Sequence, residues 1–207
     1  MHVTELHRRS VEGFMALLES VGAPGDDGWS GPTPCTDWDV RALVNHVIYE
    51  DLWTVPLMDG ATVEEVGDRF EGDVLGPDPL ASARSACDTA TMAAASGVVG
   101  GTVVHLSFGD TPAEEYTYQL AADHIIHGWD LAAATGVDRT IDPELVAACA
   151  AWFADREAIY RSAGAVGPRP DGAGAQADDP QAQSVTAMRA AARMTAIEPS
   201  RSDSTSW

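Results

Sequence analysis

Lysine is absent from this chain, and its 12 basic residues, all arginine, face 32 acidic ones, for a formal charge of −20. Without lysine there is neither a Schiff-base amine nor a P-loop cation. The excess of negative charge argues against nucleic acid as a partner, because phosphate binding draws most of its affinity from basic side chains. An anionic substrate would need a local arginine working against the protein's own field. Cysteine is scarce too. Cys35, Cys87 and Cys149 are odd in number and form no C-x-x-C, which fits reduced thiols that pack as small residues rather than a disulfide framework. No apolar run approaches the roughly 20 residues needed to cross a bilayer, so no membrane role is expected. The opening MHVTELHRRS leads into no apolar segment, which removes a secretory signal and sets the expected location as cytoplasmic. G-x-S-x-G and internal repeats are also missing. What remains is a 207-residue chain, 45% hydrophobic, long enough for one well-packed core.

What is present reads as helices with clear starts. Asp78-Pro79, Thr111-Pro112 and Asp142-Pro143 each set a capping oxygen before a proline at the first helical position. Thr111 with Glu114 and Thr62 with Glu65 match the capping box, and Asp39 caps a helix that Trp38 and Leu43 staple. Periodicity then predicts helices over 4–21, 40–57, 63–70, 79–96, 112–135 and 143–162. The second carries the stripe Leu43, His46, Glu50, Trp53 and Leu57, with Pro56 in its last turn. Between Gly101 and Gly109, TVVHLSF reads as a short strand or an extended connection. The expected organisation is a helical bundle over 1–166, a flexible Gly/Pro/Ala/Asp linker over 167–180, and a weak C-terminal helix with a frayed tail over 181–207.

Chemistry concentrates on two helices. Asp123 and His127 stand one turn apart on an otherwise apolar face, where side chains four residues apart can reach a common atom. His46 interrupts the apolar face of the 40–57 helix in the same way. Two imidazoles and one carboxylate around a divalent ion, with a fourth position open, is the composition of a catalytic zinc site. An Asp–His ion pair, or core histidines satisfied by neighbours, is the plain alternative. His124 is a rival donor to Asp123, and Glu50, one turn after His46, is a candidate partner for an imidazole or a base. His7 and His105 read as structural, and His2 as terminal. Trp38, Trp53, Trp129 and Trp152 read as core, with Trp53 placed to wall a pocket, and Asp130 as a partner for Arg41.

Three segments, PTPCTDWDVRALVNHV, TVVHLSFGDTPAEEYTYQLAADHIIHGWDLAAATG and YRSAGAVGPRP, together resemble the metal-binding family that includes the N-terminal domain of mycothiol-dependent maleylpyruvate isomerase, within the wider DinB-like bundles. The resemblance runs from the first helix to about Pro170. It implies a mainly all-α, DinB-like four-helix bundle, with extra short helices and one short strand or extended connection. It also implies a single divalent metal held at the positions of His46, Asp123 and His127. The family more often has Glu where this chain has Asp123, so the shorter side chain requires a closer helix or a looser coordination. Family members that isomerise carry a further C-terminal domain, of which this length leaves room for a remnant.

Three functional classes follow. The first is an enzyme whose metal, most simply zinc with nickel or iron as alternatives, activates a low-molecular-weight thiol such as mycothiol. It would act on an electrophilic small molecule by S-transfer or thiol-assisted isomerisation, and so would need no protein nucleophile. The second is a metal-dependent hydrolase with Glu50 as base. The third is a non-catalytic metal-binding or stress-related module, which a fourth protein ligand would favour.

Overall fold

A computed structural model of the chain describes residues 1–22, 27–162 and Val185. In order these form α1 (Val3–Ser20), a 3-10 turn (Asp27–Ser30), α2 (Val40–Met58), α3 (Val63–Val66), α4 (Pro79–Gly100), β1 (Val103–Leu106), β2 (Gly109–Pro112), α5 (Ala113–Thr135), α6 (Pro143–Ala154) and α7 (Glu157–Ser162). The described residues form a mainly helical bundle with one short hairpin, consistent with a DinB-like fold. Helices α1, α2, α4 and α5 make the bundle, with α1 lying along α5 and α2 along α4. Among the described residues no helix is long and apolar enough to cross a membrane.

The caps fix where the helices begin. The Asp39 side chain accepts from Ala42 N–H, Asp78 from Ala81 N–H and Asp142 from Glu144 N–H. Thr62 and Glu65 close a reciprocal capping box. Thr111 behaves otherwise. It pairs with Val104 in the hairpin ladder and is buried, so β2 occupies the residues expected to open the long helix. Helix α5 begins one residue later than predicted, with Pro112 at the N-cap and no side-chain cap. The expected lone strand therefore has an antiparallel partner, in the register Val103–Pro112 to Leu106–Gly109. The predicted helix over 143–162 breaks in two, and that over 63–70 ends at Val66, where Gly67 takes a φ of 58°.

The core has three regions along the bundle. Phe14, Leu18, Val44, Val47, Ala83, Ala86 and Leu131 fill the centre. Trp53, Leu57, Ala94, Leu106, Tyr116 and Leu120 fill the hairpin end, so Trp53 is a buried core residue rather than a pocket wall. Leu6, Ile125, Leu145, Cys149 and Trp152 fill the end covered by α6, where Val185 is buried with them. Alanines give α4 its close approach, and Gly97 goes further, since a Cβ there would stand 2.5 Å from Met58 Sδ. The predicted linker over 167–180 and, apart from Val185, the predicted C-terminal helix lie outside the described residues.

Candidate metal centre

Helices α2 and α5 cross-pack in the middle of the bundle and bring His46, Asp123 and His127 together, with one ligand atom from each within 4.8 Å of the others. Asp123 Oδ1 lies 3.3 Å from His127 Nε2 and 3.6 Å from His46 Nε2. These separations are poor hydrogen bonds, and His46 Nε2, His127 Nε2 and Asp123 Oδ2 are buried with no hydrogen-bond partner. They are good ligand edges: around a tetrahedral zinc with donors at about 2.0–2.1 Å, neighbouring donors stand about 3.3–3.4 Å apart. The donor set therefore fits a divalent ion. The short Asp123 side chain reaches both imidazoles because α2 and α5 are close enough to need no longer arm.

Electrostatics point the same way. Burial by itself raises the pKa of Asp123, but the His127 and His46 imidazoles outweigh it and hold the carboxyl well below the usual range. Burial lowers the pKa of His127, yet Asp123, and after it Asp130 and Cys35, raise it well above the ordinary imidazole value. The cluster thus draws positive charge to one point, which a proton or a metal ion supplies. Glu50 is buried on the next turn of α2 after His46. Burial, and then the charges of Asp123 and Asp51, push its pKa well up.

Trp38, just before α2, lies over both imidazoles, its ring centroid 4.7 Å from His46 and 5.7 Å from His127. The side chains of His46 and Asp123 keep 10% and 14% of their exposure, against 2% for His127. What exposure the cluster keeps is on its His46–Asp123 side, although His46 Nε2 and Asp123 Oδ2 themselves are buried. Behind it, Asp130 Oδ2 faces His127 Nδ1 at 3.5 Å and accepts from the Cys35 thiol at 3.3 Å. A carboxylate at the far nitrogen of a ligating imidazole fixes its tautomer and direction. Asp130 therefore does not pair with Arg41, which instead binds Asp73 Oδ2 at 2.7 Å and the Gly76 carbonyl. Cys35, expected as packing, sits at this back wall, and its place in the loop ahead of α2 is a signal that composition alone did not carry.

His124 does not turn towards His127. It lies on the α1 side of α5, where its Nε2 stands 3.3 Å from Asp51 and its ring packs edge-on against His7 and Phe14. His105 pairs across the hairpin with Asp110 at 2.7 Å. Trp129 stacks under Arg139, and Trp152 donates to Glu115. A cavity of about 490 Å³ between α1 and α5 is lined by His124 but not by His46, Asp123 or His127.

The profile of the mycothiol maleylpyruvate isomerase N-terminal domain matches residues 11–132, the stretch that holds all three converging donors. Two curated relatives are the uncharacterized proteins MT0763 and Rv0738 from Mycobacterium tuberculosis strains CDC 1551 / Oshkosh and ATCC 25618 / H37Rv. Each is 33% identical over 145 residues, covering 67% of this chain and 70% of its own length. No solved structure matches.

Proposed function

The chain belongs to the mycothiol maleylpyruvate isomerase N-terminal domain family, and on that premise we propose that it is a metal- and thiol-dependent transferase or isomerase. His46, Asp123 and His127 hold one divalent ion, zinc by donor type. The observation that carries this reading is the convergence of one ligand atom each from His46, Asp123 and His127 within 4.8 Å, with both imidazole Nε2 atoms buried and without a hydrogen-bond partner. When bound, such an ion supplies the means to deprotonate a coordinating thiol, turning a weak nucleophile of pKa near about 8.5 into a thiolate at neutral pH.

The rest is the work of this chain's own side chains. His46 and Asp123 form the side of the cluster that keeps some exposure, the side from which a low-molecular-weight thiol such as mycothiol and an electrophilic small molecule would arrive. Trp38 shields the imidazoles from water on their flank and keeps His46 and His127 in place. Asp130 Oδ2 faces His127 Nδ1 at 3.5 Å on the side away from the donor cluster, where a carboxylate favours the tautomer whose Nε2 lone pair points to that cluster. Glu50, buried on the next turn of α2 after His46, is placed to exchange a proton with substrate as charge develops. Addition of sulfur to an activated double bond, rotation and elimination gives isomerisation. Displacement of a leaving group gives S-transfer. Neither needs a protein nucleophile, in keeping with the absence of lysine and of any serine elbow.

Cobalt-substituted protein titrated with mycothiol or a simpler thiol tests this. A saturable sulfur-to-metal charge-transfer band is expected, lost in His46→Ala. With cobalt verified as bound at His46, Asp123 and His127, no band at any thiol concentration would overturn the thiol reading and leave water as the bound nucleophile.

A further inference from the structure

Away from that centre, the core holds another convergence of donors that thiol chemistry does not use. His7 from α1, Asp51 from α2 and His124 from α5 bring one ligand atom each within 4.8 Å of the others, all three side chains being buried. Cys87 from α4 donates its thiol hydrogen to Asp51 Oδ2 at 3.2 Å. Each of the four bundle helices thus places one polar group at one point of an apolar interior.

The hydrogen bonds decide what that point lacks. His124 Nδ1–H donates to the Leu120 carbonyl at 2.9 Å, leaving Nε2 to face Asp51 Oδ2 at 3.3 Å. An imidazole lone pair facing a carboxylate is repulsive unless a cation lies between them. A proton on His124 would satisfy that pair alone. His7 Nε2 and Asp51 Oδ1 would still be buried without a partner, an arrangement that proteins rarely leave in place. One divalent ion satisfies every atom at once.

We propose that His7, Asp51 and His124 form a second divalent-cation site, closed and structural, that ties α1, α2 and α5 together. Two nitrogens with a carboxylate suit a borderline ion of the zinc type, and the 3.3 Å between His124 Nε2 and Asp51 Oδ2 is again a ligand edge. Asp51 keeps its second oxygen, Oδ1, buried and without a partner. The Asp51 and His124 side chains retain 0% and 1% of their exposure, against 14% and 10% for Asp123 and His46. A closed site of this kind holds an ion without presenting it to substrate. Cys87 orients Asp51 as outer partners orient metal carboxylates.

The site stands independently of the thiol reading, and the two can fail separately. In crystals of the full chain grown with zinc chloride, anomalous difference maps at the zinc edge are expected to show a peak between His7, Asp51 and His124 besides one at His46, Asp123 and His127. In solution, apoprotein should take up two equivalents of zinc. His46→Ala/His127→Ala should keep one, together with the ion's upward shift in Tm, and adding His124→Gln or His7→Gln should remove both. A peak at the His46 cluster alone, or a folded His46→Ala/His127→Ala protein that binds no zinc, overturns the second site and leaves the first intact. A peak at His7, Asp51 and His124 alone supports the second site and overturns the first.

Discussion

At the scale of single residues, the candidate centre was legible to the extent that it is periodic. Asp123 and His127 share a helix face, and that spacing survives into three dimensions because α5 is regular through both positions. His46 was legible as an imidazole on an apolar stripe. Partners drawn from elsewhere were not. Cys35 comes from a loop, and Asp130 lies three residues beyond His127 on α5, so its facing His127 Nδ1 rather than Arg41 depends on how the helix end is packed. His124 was ambiguous for the same reason: one residue from Asp123 on a buried helix, its direction is set by α1, which only packing reveals. If Asp130 aims His127, then Asp130→Asn should weaken zinc binding at that centre about 10- to 100-fold. Cys35→Ser, which keeps a donor to Asp130, should change it little. Competition with a chromophoric chelator measures both, and equal affinities for wild type and Asp130→Asn would deny the carboxylate its role.

At the scale of elements, capping and periodicity located α1, α2, α4 and α5 within a few residues, and the hairpin shows where local signals stop. Thr111, Pro112 and Glu114 satisfy the local pattern of a helix start, but Val104 competes for Thr111 through ladder pairing and burial, and wins. No local pattern contains that competitor. The start of α2, which sets the height of His46, is secured twice: by the Asp39 cap, and by Arg41 reaching the segment around Asp73. The Arg41 guanidinium, more than partial burial can offset, holds the Asp73 carboxyl below its usual pKa. A carboxyl whose folded pKa is depressed contributes stability above its unfolded pKa and loses it as pH falls through the folded value. Asp73→Asn should therefore cost less than about 1 kcal/mol at neutral pH, since the pair is largely exposed. The difference from wild type should shrink as pH falls below about 4, as urea unfolding at several pH values will show; a difference that does not vary with pH would assign the cost to lost packing instead.

At the scale of the whole molecule, the scarcity of basic residues shapes how they are used. Arg9 ties α1 to the start of α6 through Asp142 and Glu144, Arg84 reaches from α4 to Glu19 on α1, and Arg156 clasps Glu115 on α5. The remaining acidic excess repels itself across the surface. Screening should relieve more repulsion than it costs in exposed pairs, so the Tm of the protein in chelator should rise as sodium chloride is added from low to physiological ionic strength. A falling Tm in calorimetry would mean that the arginine pairs outweigh the net charge.

Helix α5 presents Asp123 and His127 to one cluster and His124 to the other, while α2 does the same with His46 on one side and Asp51 on the other. The two clusters therefore share an axle. A small roll of α5 that draws Asp123 towards His46 also moves His124 relative to Asp51, so filling either cluster biases the geometry of its neighbour. By thermodynamic reciprocity, whatever factor the inner ion lends to affinity at the open cluster, the outer ion returns to the inner one. With both clusters filled, an ion that never meets substrate would set the readiness of the one that does.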